Sequence, residues 1–338
     1  MKRTALLSGV VLLLVAGAPA LAQTPVTACG QSVTDGVLTG DLDCSAYEGI
    51  AVDARGSVDL AGFTLTGHPD HPAIQCGGTC TVRGPGVIRG ADVGFLAYSE
   101  GVFHDYRSKF PTTTISNLRF EDNRTAIGVG WCIYQLLIDA TEIDGGERAI
   151  ATCQMHGCCN VTKTRITGST LSNFVPSEMN PYGDASTFGI NAVDIFASSL
   201  ANVDTFRARR LKIVDSTVTG SSRFEAYQKV TVRDSQLDGC DTRACIEAPA
   251  VSLRGTGIHG VDGGGIRALR AMIGPGSEVT GQCSAADPSL DCAGVMACSA
   301  SMRGSSCNTS RCLNQPLAEE SCGSRCEVGS SLSLCSGD

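Results

Sequence analysis

Four charged residues recur at one place in a repeated phrase. Arg207, Glu225, Glu247 and Arg267 each follow a large apolar residue: Phe206, Phe224, Ile246 and Ile266. If those apolar residues point inward on stacked strands, the residue after each points outward, because strand side chains alternate between faces. Neighbouring strands lie about 4.8 Å apart, a spacing that brings Glu225 and Glu247 side by side. Two carboxylates that close hold a shared proton more tightly, which makes an acid/base pair. A separation of about 5 Å is also that of the carboxyl groups of retaining glycosidases. In this reading Glu247 is the general acid or base beside Glu225. Arg207 and Arg267 then bind an anionic group of the substrate, and Tyr182, in a segment that interrupts the repeat, walls the site. The competing reading is a solvated ladder of alternating sign that steadies the stack.

Two other clusters carry chemically capable side chains. Cys153-Gln-Met-His-Gly-Cys-Cys159 offers thiolate, thioether and imidazole, the ligands of soft metals such as copper(I) or zinc. In an oxidising compartment these cysteines are oxidised instead, so disulfides are expected and no metal or cofactor is assigned. His68-Pro-Asp-His71 reads as a polar turn. Asn123, Asn160 and Asn308 fit the glycosylation acceptor pattern, but the leader has a bacterial look and they are given no weight.

The elements that position the charges come from an internal repeat. Its cleanest copies are Leu211–Gly220, Val230–Gly239 and Val251–Gly260, in which an aliphatic residue is followed five positions later by a second, and a small closing residue comes two after that. The pairs are Leu60/Leu65, Ile115/Phe120, Ile138/Ile143, Ile166/Leu171, Ile195/Leu200, Ile213/Val218, Val232/Leu237 and Leu253/Ile258, with Val82/Ile88 and Ile273/Val279 one residue longer. The closers are Gly67, Gly90, Asp122, Gly145, Asn173, Asn202, Gly220, Gly239, Gly260 and Gly281, the last five of them 18, 19, 21 and 21 residues apart. That period is too short for a helical pair and suits one turn of a β-solenoid. Gly, Asn and Asp suit a left-handed backbone at the closers. A third strand precedes each pair, at Ile74, Ile127, Ile150, Phe188, Phe206, Phe224, Ile246 and Ile266. Three short strands per coil give an all-β fold, a right-handed parallel β-helix of about ten coils.

Thr114-Ile-Ser-Asn-Leu-Arg-Phe-Glu-Asp-Asn-Arg-Thr-Ala-Ile127 and Val58-Asp-Leu-Ala-Gly-Phe-Thr-Leu-Thr-Gly67 resemble the pectate-lyase-like superfamily of β-helix repeat proteins. The resemblance spans roughly residues 30–282. It implies the fold; for function it leaves lyases, hydrolases, epimerases, phage spikes, adhesins and non-catalytic modules open.

The chain opens Met-Lys2-Arg3, runs apolar to about Ala18 and reaches Ala20-Leu-Ala22, the pattern of a signal peptide. Residues 1–22 are therefore expected to be removed, residues 23–57 to form an N-terminal cap and first strands, and residues 58–282 to be the repeats. Residues 283–338 lose the rhythm and hold eight of the 18 cysteines; a C-terminal cap is expected there. Cys29/Cys44, Cys76/Cys80, Cys240/Cys245 and Cys283/Cys292 are expected to close local loops. Loss of Lys2 and Arg3 moves the formal charge from −8 to −10, a poor match for nucleic acid. No later run is long enough to span a membrane. The expectation is a secreted monomer, extracellular or periplasmic, that binds polysaccharide or cell-surface glycan along its first-strand face, with processing of that glycan left open. A non-catalytic surface protein is the alternative, and periplasmic soft-metal handling a lesser one.

Overall fold

The computed structural model describes residues 23–98, 112–129, 135–152, 161–174, 190–203, 205–220, 222–240, 244–260, 264–280, 295–303, 306–307 and 310–312. These residues form a parallel β-solenoid of about nine turns, close to the ten expected, and contain no helix. Every strand pairing among them is parallel, in one 18-stranded and one 12-stranded sheet. The large sheet holds the first and middle strands of each coil. In the later coils these merge into one long strand with a register shift at the corner, as in Thr205–Val214, Arg223–Arg233 and Ala244–Arg254. The small sheet stacks the short strands that carry the second aliphatic residue.

Register puts the repeat's apolar residues directly above one another. Ile115, Ile138, Ile166, Ile195, Ile213, Val232, Leu253 and Ile273 form one continuous inner ladder. Phe120, Ile143, Leu171, Leu200, Val218, Leu237, Ile258 and Val279 form a second. Phe206, Phe224, Ile246 and Ile266 form the third, and Phe188 lies outside the described residues. All these aligned side chains are buried in one core that runs the length of the stack, so no coil needs a core of its own. One pair needs correction. The middle-ladder residue of the first coil is Val58, paired with Val82, and Leu60 packs at the corner two residues later. The five-residue spacing to Leu65 mimicked the motif.

The closers behave largely as expected. Gly90, Asp122, Gly145, Asn173, Asn202, Gly220 and Gly239 have positive φ, whereas Gly67 and Gly260 do not. Gly67 is small for a different reason: an added Cβ would lie 2.5 Å from that of Ala91. A second left-handed column, unseen in the sequence, turns the chain between the middle and short strands at Asn117, Ala140, Gly168, Ala197, Asp215, Asp234 and Gly255.

The residue after that turn builds a buried hydroxyl ladder. Ser169, Ser198, Ser216 and Ser235 are each at most 6% exposed. The N–H of Ser169 donates to Ser198 Oγ at 3.2 Å, that of Ser198 to Ser216 Oγ at 3.2 Å and that of Ser216 to Ser235 Oγ at 3.1 Å. Each hydroxyl in turn donates to the carbonyl two residues back, at 2.6–2.8 Å. Buried backbone donors are thereby satisfied where the chain leaves the sheet pattern.

Disulfides Cys29–Cys44, Cys76–Cys80 and Cys240–Cys245 are formed as the spacing suggested; Cys283 and Cys292 lie outside the described residues. Strand pairing continues past residue 282, since Val295–Met302 stacks on Gly264–Ile273 and Ser310–Cys312 stacks on Val295–Met302. No helix among the described residues is long and apolar enough to cross a membrane.

Candidate functional site

The four charges read from the sequence stand on one ladder. Arg207 is in register with Glu225, Glu225 with Glu247 and Glu247 with Arg267. Their inner neighbours Phe206, Phe224, Ile246 and Ile266 are at most 1% exposed, and the alternation turns the charges outward. The first-strand ladder is therefore a physical column.

Its bonding includes a residue that the column omits. Arg223, on the other side of Phe224, projects outward too, and its Nη2 donates to Glu225 Oε1 at 2.7 Å and to Glu247 Oε2 at 2.6 Å. Arg207 Nε donates to Glu225 Oε2 at 2.6 Å. Glu225 is thus held between two guanidinium groups, and Arg223 stands between the two carboxylates. The ion-paired side chains are 20–29% exposed, so the bonds are partly screened from water. Arg267 makes no ion pair among the described residues, and its buried Nε has no hydrogen-bond partner there. The sequence carried a usable signal in Arg223-x-Glu225, two outward positions on one strand.

Tyr182 and the Cys153–Cys159 cluster lie outside the described residues. At His68-Pro-Asp-His71 the two imidazoles face one another with ring centroids 4.7 Å apart, and the N–H of Asp70 donates to His68 Nδ1 at 3.0 Å. This is a closed polar turn. No group of three or more metal-ligating side chains occurs among the described residues. Asn123 is 1% exposed and bonds inward to Ile88 and Ala91, so it is no glycan acceptor in the folded chain.

A second feature lies on the face of the middle strands. The outward column there reads Lys163, Ala192, Arg210, Lys229, Ala250, Arg270 in successive rungs. The column beside it reads Arg165, Asp194, Lys212, Thr231. Ala192 is the small residue between two long cations and leaves a notch one rung wide. A cleft of about 330 Å³ opens there, lined by Lys163, Asp194, Arg210, Lys212, Lys229 and Thr231. Lys163 is paired with Asp194 at 2.9 Å. Lys212 Nζ and Arg165 Cζ sit 4.9 and 4.8 Å from the ring centroid of Phe196, and such contacts steady long cationic stems. Arg210 and Lys229 are exposed and make no ion pair among the described residues. Sequence reasoning looked for charges after the first strand and missed this face, where the signal was the alternation Arg210-Leu-Lys212.

Comparison of the chain with protein-family models and with curated proteins finds no match.

Proposed function

We propose that this protein is an exported, non-catalytic polysaccharide-binding solenoid, related to the pectate-lyase-like superfamily, that holds its ligand along Arg207, Glu225, Glu247 and Arg267. The observation that carries the reading is the position of Arg223. A pair of carboxylates meant to exchange protons with a substrate works through their mutual repulsion, and a guanidinium bonded to both removes it. What the ladder offers instead is a row of partly fixed donors and acceptors at strand spacing, ending in an arginine that makes no ion pair among the described residues. Solenoids present such rows as extended surfaces that suit a linear polymer. Export agrees with the leader pattern and with three disulfides, which persist in oxidising compartments.

The test is a panel of acidic and neutral glycans titrated against the secreted mature protein, with Arg267→Gln and Glu247→Gln beside the wild type. Binding that weakens in Arg267→Gln, without release of new reducing ends by any form, is the expected result. Turnover by the wild type that vanishes in Glu247→Gln would restore the acid/base reading, and no glycan bound at all would end the polysaccharide reading.

A further inference from the structure

We infer that the middle-strand cleft is a separate oxyanion site that takes sulfate ester groups of an acidic polysaccharide; this rests on the polysaccharide reading above and gives the solenoid a second ligand-binding face. Three cations surround the notch over Ala192 and make no ion pair among the described residues. Asp194 is engaged by Lys163 at 2.9 Å, which leaves Arg210, Lys212 and Lys229 as net positive charge in the cleft. They reach it from two adjacent rungs, since Arg210 is in register with Lys229 and Lys212 with Thr231. The Thr231 hydroxyl adds a neutral donor at the same level.

Donors from several directions favour a group with several terminal oxygens. A planar carboxylate offers two, best met by a single guanidinium fork. A sulfate ester offers three, spread over a tetrahedron, and can meet Arg210, Lys212 and Lys229 together. The same sheet face also carries Arg270, in the Arg210 column, and Arg233 and Arg254, in register with each other two outward columns away, all exposed. A polymer with charges at intervals can follow that face. The setting also disfavours nucleic acid: the chain's formal charge is −8, whereas nucleic-acid-binding domains are strongly basic.

The experiment uses the full mature protein and a double variant, Arg210→Gln with Lys229→Gln. Both positions are exposed and outward, so the fold should survive, which circular dichroism checks. Dextran sulfate, dextran, a polyuronate of matched charge density and duplex DNA are titrated by calorimetry. Dextran sulfate is expected to bind the wild type, to lose about tenfold in affinity in the double variant and to weaken with salt. In a separate arm, sodium sulfate should raise the melting temperature of the wild type more than sodium chloride of equal ionic strength, and the double variant should lose that difference.

Equal dextran sulfate binding by the double variant overturns the cleft, as does tighter binding of polyuronate or DNA. Loss of glycan binding in Arg267→Gln alone leaves the first-strand reading standing and sinks this one. A sulfate-specific shift that is absent from the wild type overturns the oxyanion site whatever the polymer results are. A shift present in the wild type and lost in the double variant supports it even where no polymer binds and the polysaccharide reading falls.

Discussion

Arg223→Gln tests how the charged ladder is held together. In the native protein Arg223 Nη2 bonds one oxygen of Glu225 at 2.7 Å and one of Glu247 at 2.6 Å. Those two oxygens therefore lie within about 5 Å of each other, and two like charges at that distance repel by about 3 kcal/mol at an effective dielectric of about 20, or by less than about 1 kcal/mol in bulk water. The side chains are 20% (Arg223), 22% (Glu225) and 29% (Glu247) exposed, so an intermediate loss of about 2 kcal/mol is expected at neutral pH. Urea unfolding at neutral pH measures this from the midpoint shift at constant m. Adding Glu247→Gln to Arg223→Gln should recover at least about 1 kcal/mol through non-additivity, because the repelling partner is gone. A single variant within about 0.5 kcal/mol of wild type, with an additive double variant, would show that Arg223 does not hold the ladder. The case against an acid/base pair would fall with it.

Two further outcomes follow from the same bonding. Ser216→Ala removes the acceptor of the buried Ser198 N–H and should destabilise by about 2 kcal/mol; Ser216→Thr should sit close to wild type, because Thr256 fills the equivalent position with the same bond to its i−2 carbonyl. Hydrogen exchange read at the Ser198 amide separates lost bonding from general loosening, and unchanged protection there would refute the ladder's role. Asp43 accepts the backbone N–H of Ser45 at 3.0 Å; that bond first, and the Ser45 hydroxyl next, hold its carboxyl below the usual range. Its contribution to the turn is present above about pH 3.9 and is lost as the pH falls through the lower native value. Carboxyl NMR titration of wild type and Ser45→Ala, with the variant moving part of the way back, checks it.

Much of the fold was legible because a solenoid repeats its constraints. Each coil must return an aliphatic residue to the same inner ladder, so Ile213, Val232 and Leu253 announced themselves by period alone, and their register followed. Leu60 shows where period misleads, since a corner residue at a plausible spacing displaced Val58. The left-handed turn before each short strand was harder to see. Its residues include Ala140 and Ala197, which carry no turn signature, and the serines behind them read as strand boundaries although they are a buried bonding column.

The site was legible only to the level of the backbone. Alternation placed Glu225 and Glu247 in adjacent rungs, as found, because that depends on register. Which cation bonds which carboxylate depends on where a long, flexible arginine stem leans, and no spacing rule contains that choice. Arg223 could have pointed away from the ladder with no change in the repeat. The basic cleft follows the same logic with a different determinant: its opening exists because Ala192, in register with Lys163 below and Arg210 above, is short. A single long side chain at position 192 would close the notch and leave the strand pairing untouched. The repeat therefore determines where side chains stand, and the one or two positions free to vary along each outward column determine what the surface can hold.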